Sequence, residues 1–480
     1  MKPALDAVVV GAGPNGLAAA ITLAEAGLRV QVYEGTGSPG GGCRTEPLTL
    51  PGFAHDVCAA VHPLAVASPF FRRFGLEERG VRLLWPDVAY AHPMDDGSAG
   101  AAYASLDRTV AELGGEGRAW RRIFAPLVAH ADAIVPAALG PLRALPRQPL
   151  SAARFLRPAL GSAVSIGRRL DGATSRAMVA GLAAHTMRPL GVRPTGAVAA
   201  LLGLLAHRSG WPVVEGGSGR LADAMVAGLR EHGGTLVTGH WVSTLDELPP
   251  ARVVLFDLAP RQVADIAGDR LPTGYRRALW AFRYGPGVCK VDWALDGPVP
   301  WTAQACRGAG TVHVGGGFAE VAFAEFEVSA GRHPAKPFVL VTQPGVVDGS
   351  RAPERQQTLW AYCHVPSGSD VDMSGRIEAQ IERFAPGFRD RILARSVLTA
   401  ADEQRRHPNY IGGDVNGGAA TMRQTLFRPT VRWDNYRTPA PGIYLCSAST
   451  PPGGGVHGMC GYHAARTALR HTFGMVTGVG

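Results

Sequence analysis

The stretch from Val8 to Glu34, VVVGAGPNGLAAAITLAEAGLRVQVYE, constrains the fold of this chain more than any other part of the sequence. Three valines form a short apolar run, glycines follow in a G-x-G-x-x-G pattern, and small and aliphatic residues then repeat at a helical period. This order predicts a strand, a tight turn and a helix. The free N–H groups at the helix start can then bind the phosphates of a dinucleotide.

Each glycine of the turn has its own function in this pattern. Gly11 allows the tight turn, Gly13 lets a pyrophosphate approach the backbone, and Gly16 lets the helix pack closely on the strand. Pro14 and Asn15 lie in the same turn, at the predicted start of the helix. We therefore predict that these five residues bind the cofactor.

An acidic residue at the end of the second predicted strand supports this interpretation. Gly27 ends the helix, and LRVQVYE then alternates like a strand and places Glu34 eighteen residues after Gly16. This is close to the spacing at which an acidic side chain reaches the ribose hydroxyls of a dinucleotide. Because a carboxylate repels a 2′-phosphate, Glu34 disfavours NADP at this site.

The composition indicates a globular protein of two or three domains. The chain has 480 residues, of which 46% are hydrophobic and 18% are charged. No charged and apolar leader precedes the first strand, and the longest apolar run, residues 197–206, is too short to span a bilayer. We therefore predict a cytoplasmic protein. The seven cysteines include no C-x-x-C, so neither a disulfide framework nor a zinc site is indicated, and we predict no metal.

The positive charge of the chain is concentrated in one segment. The formal net charge is +9, and residues 136–214 contain ten arginines against a single acidic residue, Asp171. Aromatic residues are not interleaved with these arginines, as they are in surfaces that stack bases, so we predict no nucleic-acid partner. Two interpretations stay open for this segment, a solvated helix face and a peripheral contact with a membrane surface.

The order of patterns along the chain predicts an α/β protein with an interrupted Rossmann-like domain. We assign residues 1–75, 210–274 and 410–480 to this domain, because strand, helix and glycine signals return after each interruption. Residues 76–209 are predicted to be the helical part of a second, α+β domain. Residues 275–409 alternate like strands and are predicted to form its largely antiparallel, mixed sheet.

Two further glycine-rich loops favour FAD as the dinucleotide. Residues 40–42 and Arg44 follow Glu34, so backbone N–H groups and a guanidinium can reach the same pyrophosphate from its other side. Residues 453–461 form a third glycine-rich loop ahead of a predicted helix. The positive end of that helix can stabilise negative charge on a reduced flavin ring. A nicotinamide site has no need of a third loop this remote, whereas an extended FAD does.

The motifs and their order resemble the FAD-dependent phytoene-desaturase-like oxidoreductases. The resemblance rests on the E-x-x-x-x-x-G-G-G-x-R block, on VVEGGSGRLADAMVAGLREHGG, on RAPERQQTLWAYCHVP, and on LFRPTVRWDNYRTPAPGIYLCSASTPPGGGVHGMCG. It is closest to the bacterial relatives of pyridine nucleotide-disulfide oxidoreductase domain-containing proteins and covers essentially the whole chain. The resemblance implies an amine-oxidase-like flavoprotein with an FAD domain built from discontinuous segments and a substrate domain.

The resemblance also implies individual contacts with FAD. Val242 is expected to meet the adenine through its backbone. The adenosine and diphosphate contacts fall on Gly11, Gly13, Gly16, Glu34, Gly41, Gly42 and Arg44, and the contacts along the isoalloxazine fall on Gly454, Gly455, Val456 and Gly461. Possible homodimer formation stays open.

Four residues are candidates for catalysis. His457 lies in the last glycine-rich loop, where it either touches the flavin or substrate or only hydrogen-bonds the loop backbone. Tyr362 and His364 alternate with Trp360 on one predicted face of TLWAYCHVP, where they either wall a flat apolar cavity or pack the sheet against helices. His62 is suggested by the family pattern, again with a structural alternative.

The sequence contains no second dinucleotide fold and no C-x-x-C, which argues against a reductase of the disulfide type. The leading hypothesis is dehydrogenation of a lipophilic small molecule, in which FAD accepts a hydride, a base accepts a proton, and oxygen or a quinone reoxidises the flavin. Oxidation of a C–N bond, redox-neutral isomerisation or saturation, and a membrane-associated FAD-binding module without turnover remain alternatives.

Overall fold

The structure is a computed structural model that describes residues 5–141 and 148–475, so Arg143 and Arg147 of the arginine-rich segment lie outside the described residues. The strands are β1 (Leu5–Val10), β2 (Val30–Tyr33), β3 (Thr45–Glu46), β4 (His55–Asp56), β5 (Leu83–Leu84), β6 (Val88–Pro93), β7 (Ala99–Tyr103), β8 (Val213–Val214), β9 (Thr235–Val237), β10 (Ala251–Phe256), β11 (Gly287–Leu295), β12 (Ala309–Val314), β13 (Val339–Thr342), β14 (Gln357–Val365), β15 (Ile392–Leu398) and β16 (Ile443–Leu445).

The helices are α1 (Pro14–Glu25), α2 (Pro63–Ala67), α3 (Pro69–Phe74), α4 (Leu106–Glu112), α5 (Gly117–Ala129), α6 (Ala131–Ala138), α7 (Pro149–Ala153), α8 (Leu156–Ala159), α9 (Ala163–Gly167), α10 (Ala173–Ala184), α11 (Thr195–Arg208), α12 (Gly219–Glu231), α13 (Pro260–Ala267), α14 (Thr273–Trp280), α15 (Gln304–Arg307), α16 (Phe318–Ser329), α17 (Ser374–Phe384), α18 (Ala400–Arg406), α19 (Met422–Leu426) and α20 (Met459–Thr472).

A five-stranded parallel sheet carries the predicted dinucleotide motif. Its strand order is β16-β10-β1-β2-β9, so three separate parts of the chain contribute to one sheet. Alternation along β1 sends Ala7 and Val9 into the core beneath α1, α12 and α20, while Val8 and Val10 pack into a second core with α13 and α14. The apolar run at the start of the motif is therefore a strand buried on both faces.

The second large sheet is mixed and has seven strands, in the order β15-β11-β14-β13-β12-β6-β7. Its pairs are antiparallel except for β12 and β6, which run parallel. Leu359, Ala361 and Cys363 of β14 face one apolar core, whereas Trp360 packs into the core on the other side. The predicted phase of β14, with Trp360 and Tyr362 opposite Leu359, Ala361 and Cys363, matches this arrangement.

The segment 76–209 differs from the predicted helical region at its start. Strands β6 and β7 form a hairpin that joins the edge of the seven-stranded sheet. The turn between them runs from Met94 to Ser98 and places Gly97 at a positive φ of 83°. Each strand has only five or six residues and no long alternating pattern, which explains why sequence periodicity did not separate them from the helices α4–α11 that follow.

The arginine-rich segment has an exposed apolar side as well as exposed charges. Leu150, Leu156 and Leu160 are exposed, Leu150 to 84%, and Arg154 and Arg157 beside them are also exposed. This combination is compatible with both interpretations of the segment. None of the helices in the described residues is at once long enough and apolar enough to cross a bilayer.

The packing of α20 on α1 predicts a strong effect of one glycine. A Cβ atom at Gly461 overlaps the backbone oxygen of Asn15, so Gly461→Ala forces the two helices apart. We expect a loss of about 1–3 kcal/mol in the free energy of unfolding. Chemical denaturation measures this loss, and Gly375→Ala serves as the matched control because a Cβ there meets open space inside α17. Equal stabilities of the two variants would contradict the packing described.

Candidate functional site

A single large cavity contains most of the predicted site residues. Its volume is about 570 Å³, and its lining comes from both sheets and from all three parts of the chain that build the parallel sheet. At one end lie Gly11, Gly13, Pro14 and Asn15 of the glycine turn. At the other end lie aromatic residues of the seven-stranded sheet. The cavity therefore connects the dinucleotide motif to the predicted substrate domain.

Glu34 lies at the end of β2 and lines the cavity as predicted. Its Oε2 accepts a hydrogen bond from the Ala12 N–H at 2.9 Å, and its Oε1 accepts bonds from the N–H and the hydroxyl of Thr36, each at 2.9 Å. These bonds hold the carboxylate in place beside the turn. Carboxylate oxygens accept more than one hydrogen bond each, so ribose hydroxyls can still be bound.

An acidic residue beneath the glycine turn was not predicted. Asp257 follows β10, lines the cavity, and accepts a hydrogen bond from the Gly16 N–H at 2.8 Å through Oδ2. A Cβ at Gly13 would lie 2.7 Å from this oxygen, so the glycine is required by Asp257 as well as by a phosphate. Burial, together with nearby Glu34, raises the pKa of Asp257 well above its ordinary value. In the sequence, the signal that could have identified Asp257 is an acidic residue directly after a buried strand.

The second glycine loop lies against the first. Gly41 and Gly42 line the cavity, Gly41 with a positive φ of 55°, and the Arg44 Nε–H donates to the Gly41 oxygen at 3.1 Å. Arg44 itself lines the cavity and is nearly buried, so it offers a cation beside the glycine turn. Behind the loop, the rings of His407 and Tyr410 stack at 4.2 Å. These two cavity residues were not predicted.

The residues after β9 form the predicted adenine end of the cavity. Val242 lines the cavity beside Trp241 and His240, and Trp241 is 57% exposed. The Trp241 ring lies so close to Gly35 that a Cβ there would be 2.7 Å from it. His240 packs on Tyr33 with their ring centroids 5.1 Å apart. The predicted backbone contact of Val242 with adenine therefore stays a prediction, placed in a pocket with aromatic walls.

Gly455 and Val456 line the cavity at the predicted flavin end, with Ser447 and Ser449 after β16. Gly455 has a positive φ of 119°, and a Cβ on it would lie 2.5 Å from the Leu64 side chain. The loop backbone thus passes directly over α2. A flat ring bound here meets backbone and small side chains, which suits an isoalloxazine.

Three predicted cofactor residues lie behind the cavity wall instead of in it, namely Gly16, Gly454 and Gly461. A Cβ on Gly16 would overlap the Gly11 oxygen, and one on Gly461 would overlap the Asn15 oxygen. At Gly454 a Cβ would lie 2.6 Å from the Asn416 oxygen. These glycines let backbone segments approach one another, so they shape the site without lining it.

The residues present fit FAD. Glycine backbone and Arg44 suit a diphosphate, Glu34 suits a ribose, and the Gly455 loop suits a flavin ring. The Asn15 Oδ1 atom is buried without a hydrogen-bond partner in the described part of the chain, which leaves one acceptor available at the turn. Because these groups lie along one continuous cavity, an extended dinucleotide can contact all of them.

His457 has the position of its structural alternative, in which the ring hydrogen-bonds the loop backbone. It is buried and is absent from the cavity wall. Its Nε2 donates to the Gly453 oxygen at 3.1 Å, and its Nδ1 accepts from the Met459 N–H at 3.0 Å. Both ring nitrogens are therefore used by the loop backbone. Burial lowers the pKa of His457 to about 4, which keeps the ring neutral in these contacts.

His364 lies on the same face of β14 as Tyr362 but outside the cavity wall, which agrees with the alternative that it packs the sheet against a helix. Its Nδ1 contacts Glu325 Oε1 at 2.7 Å, and both side chains are buried. Tyr362 does line the cavity, and its ring stacks on Trp360 at 5.6 Å. Burial raises the pKa of Tyr362 well above its ordinary value, so the phenol stays protonated.

His62 lines the cavity and has one free ring nitrogen. Its Nε2 lies 2.8 Å from Ser218 Oγ, and its Nδ1 is buried with no partner among the described residues. His185, at the end of α10, lines the cavity as well. It was not predicted, because nothing in its local sequence separates it from other helix ends.

The fold and the site define an FAD-dependent oxidoreductase with a Rossmann-like domain, and comparisons with known proteins confirm this class. Residues 9–74 match the model for an NAD(P)-binding Rossmann-like domain. Pyridine nucleotide-disulfide oxidoreductase domain-containing protein 2 of Rattus norvegicus is 25% identical over 98% of this chain and 94% of its own length. The all-trans-zeta-carotene desaturase of Myxococcus xanthus is 28% identical over 94% of this chain and 90% of its own.

A solved structure shows the same fold. Putrescine oxidase superposes with a TM-score of 0.62 and 17% identity, over 97% of this chain and 99% of its own. The predicted resemblance to desaturase-like oxidoreductases is thus confirmed, as is the class of FAD-dependent oxidoreductases with a Rossmann-like domain. The likeness to putrescine oxidase confirms the fold class.

A substitution in the second glycine loop tests whether this loop contacts FAD. A Cβ at Gly42 overlaps the Tyr410 hydroxyl, so Gly42→Ala displaces the loop and lowers the affinity for FAD. We expect at least a tenfold rise in the Kd for FAD, measured by flavin fluorescence on the apoprotein. Tyr410→Phe removes the overlapping oxygen, so the double variant should recover most of the affinity. Unchanged binding by Gly42→Ala would place FAD elsewhere.

The low pKa values of three cavity histidines predict that the folded protein loses stability in acid. Burial lowers the pKa of His62 to about 4, of His185 to about 3 and of His407 to about 4, from an ordinary 6.5. The unfolded chain binds protons at these residues below pH 6.5 and the folded chain does not, so the free energy of unfolding falls as the pH drops from about 6.5 towards 4.

Each such histidine contributes a slope of up to about 1.4 kcal/mol per pH unit in this window. Chemical denaturation at several pH values between 7.5 and 5 measures the slope, and His407→Gln should reduce it. A slope identical in this variant and in the original chain would contradict the neutral, buried state of His407.

Proposed function

We propose that this protein dehydrogenates a C–C bond of a lipophilic small molecule. The observation that carries the proposal is the continuity of one cavity from the glycine turn to Trp360 and Tyr362. A substrate that enters the aromatic part thereby reaches the flavin end without leaving the cavity. Carotene and neurosporene derivatives named in the desaturases similar to this chain support an apolar, unsaturated substrate class.

The substrate part of the cavity has mostly apolar walls. Trp360 and Tyr362 present stacked rings, and Trp211, Leu202 and Leu340 complete the wall. Apolar walls bind a hydrocarbon skeleton by burying its surface and by excluding water. Bound FAD supplies the hydride acceptor, and the protein holds the reacting carbon in position.

The proposed proton acceptor is Nδ1 of His62. The Ser218 hydroxyl donates its only proton to the Ala59 oxygen, so Ser218 must accept the Nε2–H of His62. In a neutral imidazole this leaves Nδ1 unprotonated. His62 precedes α2, whose Leu64 lies against the Gly455 loop, and His62 and Gly455 line the same cavity.

A buried ion pair holds this arrangement in place. The Ser218 N–H donates to Asp56 Oδ1 at 2.7 Å, and Arg351 Nη2 donates to Asp56 Oδ2 at 3.0 Å. Both ionic side chains are almost fully buried. The pair fixes Ser218, Ser218 fixes the tautomer of His62, and the proton acceptor is thereby oriented before substrate binds.

The proposal predicts how the flavin is reduced. In anaerobic solution, NADH and NADPH should leave the visible flavin bands unchanged, because the described residues contain one dinucleotide fold and FAD occupies it. A lipophilic substrate should bleach the same bands and give a product with one more double bond, and oxygen or a quinone should restore them. Rapid bleaching by NADH would instead favour a reductase, and a product with an unchanged number of double bonds would favour isomerisation.

Replacement of the proposed proton acceptor should slow flavin reduction without weakening FAD binding. His62→Gln should slow flavin reduction by substrate about 10²- to 10⁴-fold while the Kd for FAD stays within a factor of two. Stopped-flow absorbance measures the reduction. His457→Gln is the comparison variant, since His457 contacts only the loop backbone, and its reduction rate should change much less. Equal rates in His62→Gln and the original chain would exclude His62.

A further inference from the structure

A row of polar side chains crosses the apolar wall of the cavity. Thr311 of β12 pairs directly with Thr342 of β13, and Thr342 pairs directly with Trp360 of β14. The three side chains therefore lie side by side on one face of the sheet. All three line the cavity, and all three are buried, with at most 5% of each exposed.

Each residue of this row has a polar atom without a hydrogen-bond partner in the part of the chain that the structure describes. The atoms are Thr311 Oγ1, Thr342 Oγ1 and Trp360 Nε1. Buried polar atoms are nearly always paired, because an unpaired one costs free energy. The indole N–H can only donate, and the hydroxyls can donate or accept. Three unpaired groups in one row point to a ligand that pairs with them.

A pair of histidines adds a fourth polar group beside this row. His313 lies two residues beyond Thr311 on β12, and its Nε2 is 3.1 Å from the Nε2 of His185. One of the two nitrogens must carry the shared proton. His313 Nδ1 is buried and unpaired among the described residues. An unpaired buried acceptor is tolerated better than an unpaired N–H, which assigns the shared proton to His313.

His185 then carries its own proton on Nδ1. His185 is half-buried and lines the cavity, so this N–H is a donor at the cavity wall. Both rings are neutral, because burial lowers the pKa of each well below its ordinary value. The position of His313 depends on Gly181 of α10, where a Cβ would lie 2.5 Å from the His313 Nδ1.

We infer that His185, Thr311, Thr342 and Trp360 form a polar subsite on the cavity wall, in which one or two of these groups pair with a neutral oxygen, a carbonyl or a hydroxyl, on an otherwise apolar substrate. An oxygen acceptor suits the N–H groups of His185 and Trp360, and the threonine hydroxyls adapt to either form of oxygen. This inference rests on the proposed function, and it narrows the substrate class from lipophilic molecules in general to oxygenated ones.

A matched pair of probes tests the subsite. Carvone and limonene share one skeleton, and carvone carries a ring carbonyl that limonene lacks. We expect the FAD-loaded protein to bind carvone at least tenfold more tightly than limonene, because the pure hydrocarbon leaves the four groups unpaired. Equilibrium headspace partitioning measures both affinities without turnover. A preference below threefold overturns the inference, and it leaves the flavin-reduction test of the proposed function unaffected.

Isosteric variants identify the residues responsible. Thr311→Val with Thr342→Val should reduce the carvone preference by at least threefold, leave limonene binding within twofold, and not lower the Tm, since valine removes only unpaired hydroxyls. His185→Leu should reduce the preference in the same way.

Thr358→Val is the matched control. Thr358 lies on β14, is buried and also has an unpaired hydroxyl, but it lies outside the cavity wall. The control should keep the full preference for carvone. If the double valine variant and His185→Leu also keep it, the row binds water only and the inference is wrong.

Discussion

The close approach of α1 and α20 is the constraint on which the rest of the structure depends. The two helices meet where Gly461 lies against the Asn15 backbone, and Gly16 lets α1 start directly over the turn after β1. This contact seats the third glycine-rich loop, with Gly455 and Val456, on the same cavity as the glycine turn. The cofactor site therefore exists only because side chains are absent at a few positions where backbone meets backbone.

The two ends of the cavity have walls of different chemistry, polar and charged at one end and apolar at the other. At the predicted cofactor end, the walls are glycine backbone, the Glu34 carboxylate and the Arg44 guanidinium, which suit phosphate and hydroxyl groups. At the proposed substrate end, the walls are the stacked rings of Trp360 and Tyr362, which suit apolar surface. His62 also lines this cavity, with one ring nitrogen bound to Ser218 and the other without a partner among the described residues. The proposed function thus assigns cofactor binding and substrate binding to different parts of one cavity.

The sequence predicted the features that arise from neighbouring residues. The glycine turn, Glu34 and the phase of β14 each follow from a pattern within a few tens of residues, and the class of cofactor follows from three such glycine patterns along the chain. Asp257 beneath the turn and the His185 and His313 pair join residues more than a hundred positions apart, and no local pattern encodes that. For His457, the sequence motif predicted the loop. It did not predict that the two ring nitrogens hydrogen-bond backbone groups of that loop.

The discontinuous sheet also affects how the chain can reach its native state. β1 pairs with β2 soon after both are synthesised, but its other neighbour, β10, and the edge strand β16 emerge much later. Contacts of such long sequence separation carry a loop-closure cost before they stabilise anything. The backbone edge of β1 that pairs with β10 therefore stays unpaired until about half of the chain, up to Phe256, has been synthesised.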